Sequence, residues 1–473
     1  MLPAEQDISR LDGQRAASKR VGRIFAERGG AKARVRTFGC QQNEADSERL
    51  RGMLAGMGCA FTENDDEADI IVINTCAVRE HAEAKVFGVI GALTHLKKAK
   101  PELIIAVCGC AAQRPEISGR IRESYRHVDI VFGTHALWRF PELLETAVSG
   151  MRRVFAVEDS EGEIVEGLPV LRDRKYTAWL PVMYGCDNFC AYCIVPYVRG
   201  RERSRAPERV LADAEALIAS GARDITLLGQ NVNSYGNKTR RGDATDSAVG
   251  FPELLRRVAG LGGDFIVRFM TSHPKDAGEA LFRAMADSPK IARCLHLPFQ
   301  SGSDRVLGLM NRGYARGRYL ELIAMARELM PDLVVTSDVI VGFPGETERD
   351  FEETYSLIER VRFDALFTFI HSPRPGAPSA KLPDTVPRAE KQRWFDRMLA
   401  LQDEISAEKH ASYVGKTLRV LIDSETGDAI YPAQGRTEGN RLVRLTNGAD
   451  DVGKFREVKI TDCNKWSLMG ETV

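Results

Sequence analysis

The chain lacks any apolar run of about 18 residues, the length that a membrane-spanning helix requires. Its first residues are charged from Glu5 onward and contain no apolar segment of the kind found in secretory signal peptides, so we expect no export. Low-complexity segments and short repeats are also absent. Ten cysteines without a targeting segment favour reduced thiols, and we expect a cytoplasmic protein with no membrane association.

Net charge is absent as well, because 66 Lys and Arg residues balance 66 Asp and Glu residues. No global field therefore draws the chain to nucleic acid, and any such surface must be local. Hydrophobic residues make up 44% and charged residues 28% of the 473 positions, which is ordinary for a globular protein. This length predicts about two to four domains.

Three of the cysteines, Cys186, Cys190 and Cys193, occupy one short segment with the spacing Cys-x3-Cys-x2-Cys. Thiolates spaced in this way on a tight loop can bind three irons of a 4Fe-4S cluster and leave the fourth iron open. A structural zinc site is one alternative, but it closes its coordination with four ligands, and no fourth Cys or His lies nearby in the sequence. Unrelated thiols are the other alternative, although reduced chains seldom concentrate cysteines without a metal or redox role.

Residues 33–150 alternate short apolar segments with amphipathic ones, which predicts a doubly wound parallel sheet. The expected strands are at 35–38, 69–74, 103–107 and 128–132. Cys40, Cys76 and Cys110 each follow a different strand at its carboxyl end, where such sheets bind ligands. Convergence of the three thiols predicts a second metal site. The alternative is that they are ordinary buried core residues, and Cys108 is the nearest rival to Cys110.

Residues 176–410 contain six more strand-and-helix units, too few for an eight-unit barrel but suited to an open partial (β/α) barrel. Polar and glycine-rich loops follow the predicted strands, so we expect a binding site on the rim that they share. His273 lies in one of these loops. It is equally consistent with a catalytic role and with a hydrogen bond inside its own loop.

The segment from Cys186 to Arg205 resembles the methylthiotransferase family of radical S-adenosylmethionine enzymes. The segments 37–43, 74–79 and 109–113 resemble the three N-terminal cysteine motifs of the same family. The resemblance implies two 4Fe-4S clusters and S-adenosylmethionine as cofactors. Cys186, Cys190 and Cys193 would bind the cluster that cleaves S-adenosylmethionine. The other cluster, which provides sulfur, would be bound by Cys40, Cys76 and Cys110.

Further roles are implied only by this resemblance. Tyr192 would pack near the adenine of S-adenosylmethionine, and the rest of the cofactor pocket would contain Gln230, Gln300, Asp338 and Gly342. Two positions depart from the usual family pattern: Ala191 replaces a threonine and Phe299 replaces a valine.

Four alternating arginines follow the cysteine segment: Arg199, Arg201, Arg203 and Arg205. Guanidinium groups bind phosphate well, so they are candidates for RNA contact, with a solvated charged run as the alternative. Residues 411–473 are rich in short β-type runs and predict a small β-barrel. This barrel resembles the TRAM module of RNA-modifying enzymes, and the RNA-binding role rests on that resemblance.

The remaining segments are a basic stretch at 1–32, predicted to be a flexible or loosely packed extension, and a linker at 151–175. The chain is therefore expected to be α/β, with a parallel sheet, a partial barrel and a small β-barrel in that order.

Within the family, the motifs most resemble the branch that converts isopentenyladenosine at position 37 of tRNA, next to the anticodon, to its 2-methylthio derivative. The implied partners are that tRNA and an electron donor such as flavodoxin. The alternatives are threonylcarbamoyladenosine in tRNA or an aspartate of a ribosomal protein as the substrate, and an RNA-binding protein with structural clusters.

Overall fold

A computed structural model of the protein describes residues 5–77, 80–150, 153–157, 162–237 and 249–473, without the side chains of 5–9 and 80–84. It divides into two compact units. Unit 1 contains Met1–Asp173, Tyr184–Asp187 and Ile194–Arg203, and unit 2 contains Arg174–Met183, Asn188–Cys193 and Ser204–Val473. No helix within the described residues is long and apolar enough to span a membrane.

Unit 1 is built on a six-stranded parallel sheet in the order β2-β1-β3-β4-β5-β6. Every residue of β3 and β4 is buried, because helices cover both faces of the sheet. The four predicted strands are present, and the two additional edge strands, β2 and β6, are too short to give a periodic signal. The bounds are Ala31–Thr37 (β1), Cys59–Phe61 (β2), Ile70–Thr75 (β3), Ile104–Gly109 (β4), Ile130–Phe132 (β5) and Val154–Ala156 (β6).

Within the described residues of unit 1, five helices cover this sheet: Glu5–Glu27 (α1), Gln41–Gly56 (α2), Glu80–Ala99 (α3), Pro115–Ser124 (α4) and Phe140–Val148 (α5). One apolar core joins α1, α2 and α5 to one face of the sheet, and a second core joins α3 and α4 to the other face. The predicted doubly wound sheet is therefore confirmed.

Helix α1 corrects the prediction of a loosely packed extension at the N-terminus. Leu11, Ala17, Val21 and Phe25 are buried along one side of the helix. Gln14 donates a hydrogen bond from Nε2 to Glu142 on α5 at 2.8 Å. The apolar stripe has helical spacing, but an alanine and a buried glutamine interrupt it among many arginines, so it is weak in the sequence.

Unit 2 contains the six predicted strands of the central domain, all parallel. They form two three-stranded sheets, β11-β10-β7 and β12-β13-β14, and a single bridge from Val267 to Ile291 connects the last strand of one with the segment before the other. The open partial barrel is thus confirmed. Its strands are Thr177–Pro181 (β7), Asp224–Leu228 (β10), Ile266–Phe269 (β11), Cys294–His296 (β12), Val334–Val341 (β13) and Ala365–Ile370 (β14). The two-residue strands Met183–Tyr184 (β8) and Arg203–Ser204 (β9) lie between β7 and β10 in the sequence and form a separate two-stranded sheet.

Helix Val195–Arg199 (α6) belongs to unit 1, and the other helices of this part of the chain belong to unit 2. Their bounds are Pro207–Ala219 (α7), Phe251–Ala259 (α8), Glu279–Asp287 (α9), Asp304–Leu309 (α10), Arg316–Leu329 (α11), Glu348–Val361 (α12) and Arg388–Ala411 (α13). Apart from α10, these helices form one large apolar core with the buried face of the strands, whereas Val306 of α10 packs in a separate small cluster with Ala191, Met310 and Phe343.

The C-terminal part of unit 2 is a closed five-stranded barrel in the order β15-β16-β17-β19-β18, as predicted for a small β-barrel. Buried arginines attach it to the partial barrel: Arg441 pairs with Asp364, and Arg268 donates to the carbonyl oxygen of Thr437 at 2.9 Å. The strands are Thr417–Glu425 (β15), Ala433–Thr437 (β16), Leu442–Leu445 (β17), Phe455–Cys463 (β18) and Leu468–Thr472 (β19).

Candidate metal and cofactor sites

In unit 1, Cys40, Cys76 and Cys110 lie at the carboxyl ends of β1, β3 and β4, which are adjacent in the sheet. Cys40 caps the N-terminus of α2, whereas Cys76 and Cys110 directly follow their strands. A Cβ atom added to Gly39 would lie 2.9 Å from the Cβ of Cys76, so the loop after β1 approaches the end of β3 closely. The fold therefore brings the three cysteines, which are far apart in sequence, to one edge of the sheet.

A buried network of amides and hydroxyls fixes these strand ends. The Asn43 amide donates to the side chain of Asn74 at 3.1 Å and to the carbonyl oxygen of Thr75 at 2.9 Å. The Asn74 amide donates in turn to Ser47 at 3.0 Å, and Thr37 donates to the same Ser47 hydroxyl at 2.8 Å. The Asn residues of the Cys-Gln-Gln-Asn and Asn-Thr-Cys segments thus connect the cysteine loops, a role that the sequence alone did not reveal.

Asn43 also presents its Oδ1 atom to the thiols, 3.5 Å from the Sγ of Cys40 and 4.0 Å from the Sγ of Cys110. Arg199 of α6 donates from Nε to the Cys110 Sγ at 3.1 Å, and its Nη2 lies 2.8 Å from an oxygen of Asp46. Burial raises the pKa of the Cys110 thiol to about 12, while the nearby guanidinium of Arg199 opposes this rise. Metal binding at Cys110 would therefore release its proton.

Cys108 does not join this group. It lies within β4 and packs in the apolar core that β4 shares with α1, α2 and α5, whereas Cys110 lies beyond the end of the strand, after Gly109 with its φ of +93°. Among the described residues, no three or more His, Cys, Asp or Glu side chains are placed to hold one metal ion. In a 4Fe-4S cluster each cysteine binds a different iron, which is a wider arrangement than the ligand shell of a single ion.

The cysteine loop of the central domain is divided between the units, because Tyr184–Asp187 belong to unit 1 and Asn188–Cys193 belong to unit 2. In unit 1, the Cys186 backbone N–H donates to the carbonyl oxygen of Gly200 at 3.2 Å. Gly185 has a φ of +78°, and a Cβ atom there would lie 1.9 Å from the Arg201 carbonyl oxygen, so this approach requires glycine. In unit 2, the Cys193 N–H donates to the carbonyl oxygen of Cys190 at 2.9 Å in a tight turn.

Arg312 is a buried arginine beside this turn, and it was not identified from the sequence. Its Nη1 atom lies 3.5 Å from the Cys190 Sγ and 3.3 Å from the Tyr192 hydroxyl, and its Nη2 donates to the Pro298 carbonyl oxygen at 2.7 Å. The residue is 5% exposed. Within the described part of the chain, no carboxylate lies within ion-pair distance of it, so its charge is buried without a compensating anion.

Several buried polar atoms on the rim of the partial barrel have no hydrogen-bond partner among the described residues. They occupy the loops that follow successive strands: Ser272 Oγ and His273 Nε2 after β11, Gln300 Oε1 after β12, Glu346 Oε1 after β13, and His371 Nδ1 after β14. Buried polar groups are normally satisfied, and a cluster of exceptions indicates an absent ligand. Together with the uncompensated Arg312, these atoms fit a polar cofactor that carries an anionic group.

The residues predicted to contact the cofactor are all in unit 2. Gln300 has a φ of +64°, and its backbone N–H donates to the Asp338 carbonyl oxygen at 2.9 Å. Gly342 follows β13 with a φ of +70°, and Tyr192 packs beside the apolar group that includes Phe343. Gln230 follows β10. Gln230, Gln300 and Gly342 thus follow strands, whereas Asp338 lies within β13 and Tyr192 lies in the cysteine loop. Contact of these residues with the cofactor stays a prediction.

His273 has the loop hydrogen bond that was one of its two alternatives. Its Nδ1 accepts a hydrogen bond from the Lys275 N–H at 3.2 Å. Burial, with Arg312 and Lys275 nearby, lowers the pKa of His273 to about 2. The ring is therefore neutral at physiological pH, with its proton on Nε2, and can donate to a ligand without changing charge.

Two of the four arginines predicted to contact RNA are buried, which corrects that prediction for them. Arg199 is 6% exposed and faces Asp46 and Cys110, as described above. Arg205 is 4% exposed and donates to the Pro181 carbonyl oxygen at 2.8 Å and to Asp213 at 2.7 Å. The alternating pattern of these arginines in the sequence gives no indication of the buried partners of Arg199 and Arg205. Arg201 and Arg203 are partly exposed, and their RNA contact stays a prediction.

Three family models match the chain. Residues 32–133 match Uncharacterized protein family UPF0004, residues 180–358 match the Radical SAM superfamily, and residues 411–473 match the TRAM domain. A tRNA-2-methylthio-N(6)-dimethylallyladenosine synthase of Acetivibrio thermocellus is 49% identical over 93% of this chain and 90% of its own length. The chain belongs to this methylthiotransferase family. Its counterpart in Alkaliphilus oremlandii is 46% identical over 93% of this chain and 92% of its own.

Solved structures support the same fold assignment for this methylthiotransferase. The radical S-adenosylmethionine methyltransferase TsrM of Kitasatospora setae, with tryptophan and an S-adenosylmethionine analogue bound, matches with a TM-score of 0.52 at 12% identity, covering 85% of this chain and 80% of the other. A TsrM structure with cobalamin and a 4Fe-4S cluster matches with a TM-score of 0.53. Family membership confirms S-adenosylmethionine and 4Fe-4S clusters as the cofactors.

Proposed function

We propose that this enzyme converts isopentenyladenosine at position 37 of tRNA to its 2-methylthio derivative. The observation that carries the proposal is the pair of cysteine sets: three cysteines at adjacent strand ends of unit 1, in addition to the Cys-x3-Cys-x2-Cys loop. Cleavage of S-adenosylmethionine needs only one cluster, so a second set of three thiols fits a reaction that also inserts sulfur. The names of the relatives in Acetivibrio and Alkaliphilus specify the same product.

In this proposal Cys186, Cys190 and Cys193 hold one 4Fe-4S cluster, and Cys40, Cys76 and Cys110 hold the other. When bound, the clusters and S-adenosylmethionine supply the radical, the sulfur and the methyl group that an unactivated carbon requires.

The protein's own side chains bind and orient the reactants. Arg312 offers two or more N–H donors beside Cys190 and balances an anionic group there. Gln300 and His273 each direct one unsatisfied buried atom, an acceptor and a donor respectively, into the rim loops. Because these atoms are already buried, they bind a ligand without first being desolvated.

The substrate is tRNA, and the closed C-terminal barrel is a candidate for its recognition because it matches the TRAM domain. Arg201 and Arg203 remain candidates for phosphate contact. We further infer that the enzyme is cytoplasmic and receives electrons from a small donor such as flavodoxin.

The deciding experiment incubates the anaerobically reconstituted protein with reductant, S-adenosylmethionine and tRNA that carries isopentenyladenosine. Nucleosides are then analysed by mass spectrometry. A 2-methylthio product establishes the reaction and its substrate together. Formation of 5'-deoxyadenosine without that product would indicate that the substrate is threonylcarbamoyladenosine tRNA or a ribosomal-protein aspartate. No 5'-deoxyadenosine, with iron content confirmed, would favour an RNA-binding protein with structural clusters.

A further inference from the structure

Arg199 is bonded on the inside of unit 1 rather than facing solvent. Its guanidinium makes three contacts with buried groups: Cys110 Sγ at 3.1 Å, Asp46 Oδ2 at 2.8 Å and Asn43 Oδ1 at 3.5 Å. The side chains of Arg199 and Asp46 are each 6% exposed. Asp46 already balances the charge of Arg199, yet Arg199 also donates an N–H to the Cys110 sulfur. Pairing with Asp46 alone does not require this second hydrogen bond.

The groups around Arg199 connect it to a second thiol. The same Asn43 Oδ1 atom that accepts from Arg199 lies 3.5 Å from the Cys40 Sγ. Asn43 is held in this orientation because its amide donates to Asn74 and to the Thr75 carbonyl oxygen, immediately before Cys76. Arg199 therefore belongs to one continuous hydrogen-bond network that contacts all three cysteine loops.

We propose that Arg199 is a positioning residue of the auxiliary cluster: its Nε–H bonds the Cys110 sulfur, stabilises that sulfur as a thiolate ligand and sets the reduction potential of the bound cluster. The inference rests on the proposed function, because it assumes that Cys110 is a ligand. Hydrogen bonds to cluster sulfurs and nearby charge are established determinants of iron–sulfur potentials. Groups outside the ligand shell typically change metal affinity by about 10- to 100-fold when they are replaced.

The direction of the effect follows from charge. Reduction adds an electron to the cluster, and the Arg199 cation with its N–H donor stabilises the more negative form. Replacing Arg199 by glutamine removes the charge, so the cluster becomes harder to reduce. A lysine keeps the charge but loses the planar guanidinium fork that reaches Cys110 and Asp46 at once, and its effect should be intermediate.

The test uses full-length protein with Cys186, Cys190 and Cys193 replaced by alanine, so that only the auxiliary site can hold a cluster. Arg199→Gln and Arg199→Lys are made in this background and reconstituted with iron and sulfide. Iron retention against a chelator and the midpoint potential from EPR titration are measured. We expect Arg199→Gln to retain iron about 10- to 100-fold less tightly. Its one-electron reduction equilibrium should fall at least tenfold, about 59 mV lower in potential.

Arg205→Gln is the matched control, because Arg205 is also buried and paired with a carboxylate, Asp213. It should leave the iron retention and potential of the auxiliary cluster unchanged. Binding of tRNA at two salt concentrations separates this role from RNA contact: loss of a phosphate contact would weaken binding and reduce its salt dependence, whereas a positioning role leaves both as they are.

Identical iron retention and potential in Arg199→Gln, Arg199→Lys and the parent background would overturn the inference and leave the proposed function intact. So would weakened tRNA binding together with an unchanged cluster. Failure of the parent background to assemble any cluster would instead remove the auxiliary site itself, and with it the proposed source of sulfur. Should Arg199→Gln not fold, Arg199→Lys alone decides, because it keeps the positive charge opposite Asp46.

Discussion

The two cysteine regions each contain a buried arginine, but its charge is balanced in only one of them. In unit 1, Arg199 lies against the carboxylate of Asp46 as well as Cys110. In unit 2, Arg312 lies against Cys190, two tyrosine hydroxyls and a carbonyl oxygen, with no carboxylate in ion-pair range among the described residues. An uncompensated buried charge lowers the stability of the fold by several kcal/mol. A buried arginine at this position is therefore explained by a bound ligand that supplies the missing negative charge.

Hydrogen bonding shows the same contrast. Around the unit 1 cysteines, the amides of Asn43 and Asn74 are used between strand ends. On the unit 2 rim, buried atoms of five side chains have no partner in the described chain. Side-chain amides therefore join the strand ends of unit 1, whereas the unit 2 rim offers buried polar atoms that a ligand can bind.

The largest expected effect separates the two cysteine sets. Cys190→Ala should abolish formation of 5'-deoxyadenosine, because the cluster that cleaves S-adenosylmethionine loses a ligand. Cys40→Ala should leave that cleavage in place and abolish the methylthio product. Chromatography of deoxyadenosine and mass spectrometry of tRNA nucleosides measure the two outcomes. Cys463→Ala, in the C-terminal barrel, is the control and should change neither.

A Cys40→Ala protein that still produced methylthiolated tRNA would end the assignment of sulfur donation to unit 1. Loss of deoxyadenosine in both variants would mean that the two sets do not have separate roles.

Stability of the metal-free protein tests the charge contrast directly. Arg199→Met removes the partner of a buried carboxylate and should cost about 3 kcal/mol of unfolding free energy. The cost falls at the lower end of the usual range because Arg49 lies 3.6 Å from the other Asp46 oxygen. Arg312→Met removes an uncompensated charge, so it should be neutral or stabilising by about 1 kcal/mol or more. Urea denaturation under anaerobic conditions measures both.

Equal destabilisation by the two methionine substitutions would contradict the difference in charge balance. The reconstituted Arg312→Met enzyme should nevertheless lose S-adenosylmethionine cleavage, so its gain in stability would be accompanied by a loss of activity.

The sequence predicted the fold and the positions of both cysteine sets because these depend on strong, local signals. Alternating apolar segments predicted the sheets, and the spacing of Cys186, Cys190 and Cys193 predicted the loop. It did not predict Arg312, which is an ordinary residue in a turn until the fold brings it beside Cys190. Arg199 is predicted to contact RNA because guanidinium groups bind phosphate well, whereas the fold turns its guanidinium towards Asp46 and Cys110.

Helix α1 shows the same limit from another direction. Its buried positions include Ala17 and Gln14, which have little hydrophobic signal, and its contacts with α5 are distant in sequence. Composition and periodicity do not predict contacts of single polar side chains between segments that are far apart in the sequence.

The unsatisfied rim of unit 2 predicts a smaller effect at Gln300. Gln300→Leu removes a buried acceptor that has no partner in the described protein, so the metal-free protein should be at least as stable as the parent. The affinity for S-adenosylmethionine should fall about tenfold if Oε1 accepts a hydrogen bond from the cofactor. Equilibrium dialysis with the reconstituted enzyme measures this affinity. Gln392→Leu, an exposed change on α13, is the control, and unchanged affinity at Gln300 would remove it from the pocket.

The smallest expected effect is a pH dependence that both regions share. Burial raises the pKa of Glu346 on the unit 2 rim, and that of Glu48 on α2, to about 7. Because these pKa values lie above the value of about 4.5 in the unfolded chain, the folded protein binds extra protons, and this stabilisation is lost as the pH rises from about 4.5 through 7, with the last part lost between pH 6.5 and 8.

Each glutamate should therefore lower the unfolding free energy of the metal-free protein by about 1 kcal/mol between pH 6.5 and 8. The depressed pKa of His273 acts in the opposite direction and contributes about 0.4 kcal/mol between pH 6.5 and 8, because an unfolded histidine is still half protonated at pH 6.5. Comparison of each glutamine variant with the parent cancels this contribution. Glu346→Gln and Glu48→Gln should each remove the contribution of that glutamate to the pH dependence of the unfolding free energy, and the double variant should remove both contributions. If S-adenosylmethionine binds only at the unit 2 rim, a saturating concentration of it should change the contribution of Glu346 to the pH dependence of the reconstituted enzyme and leave that of Glu48 unchanged. Equal changes in the two contributions would mean that the ligand does not distinguish the two regions.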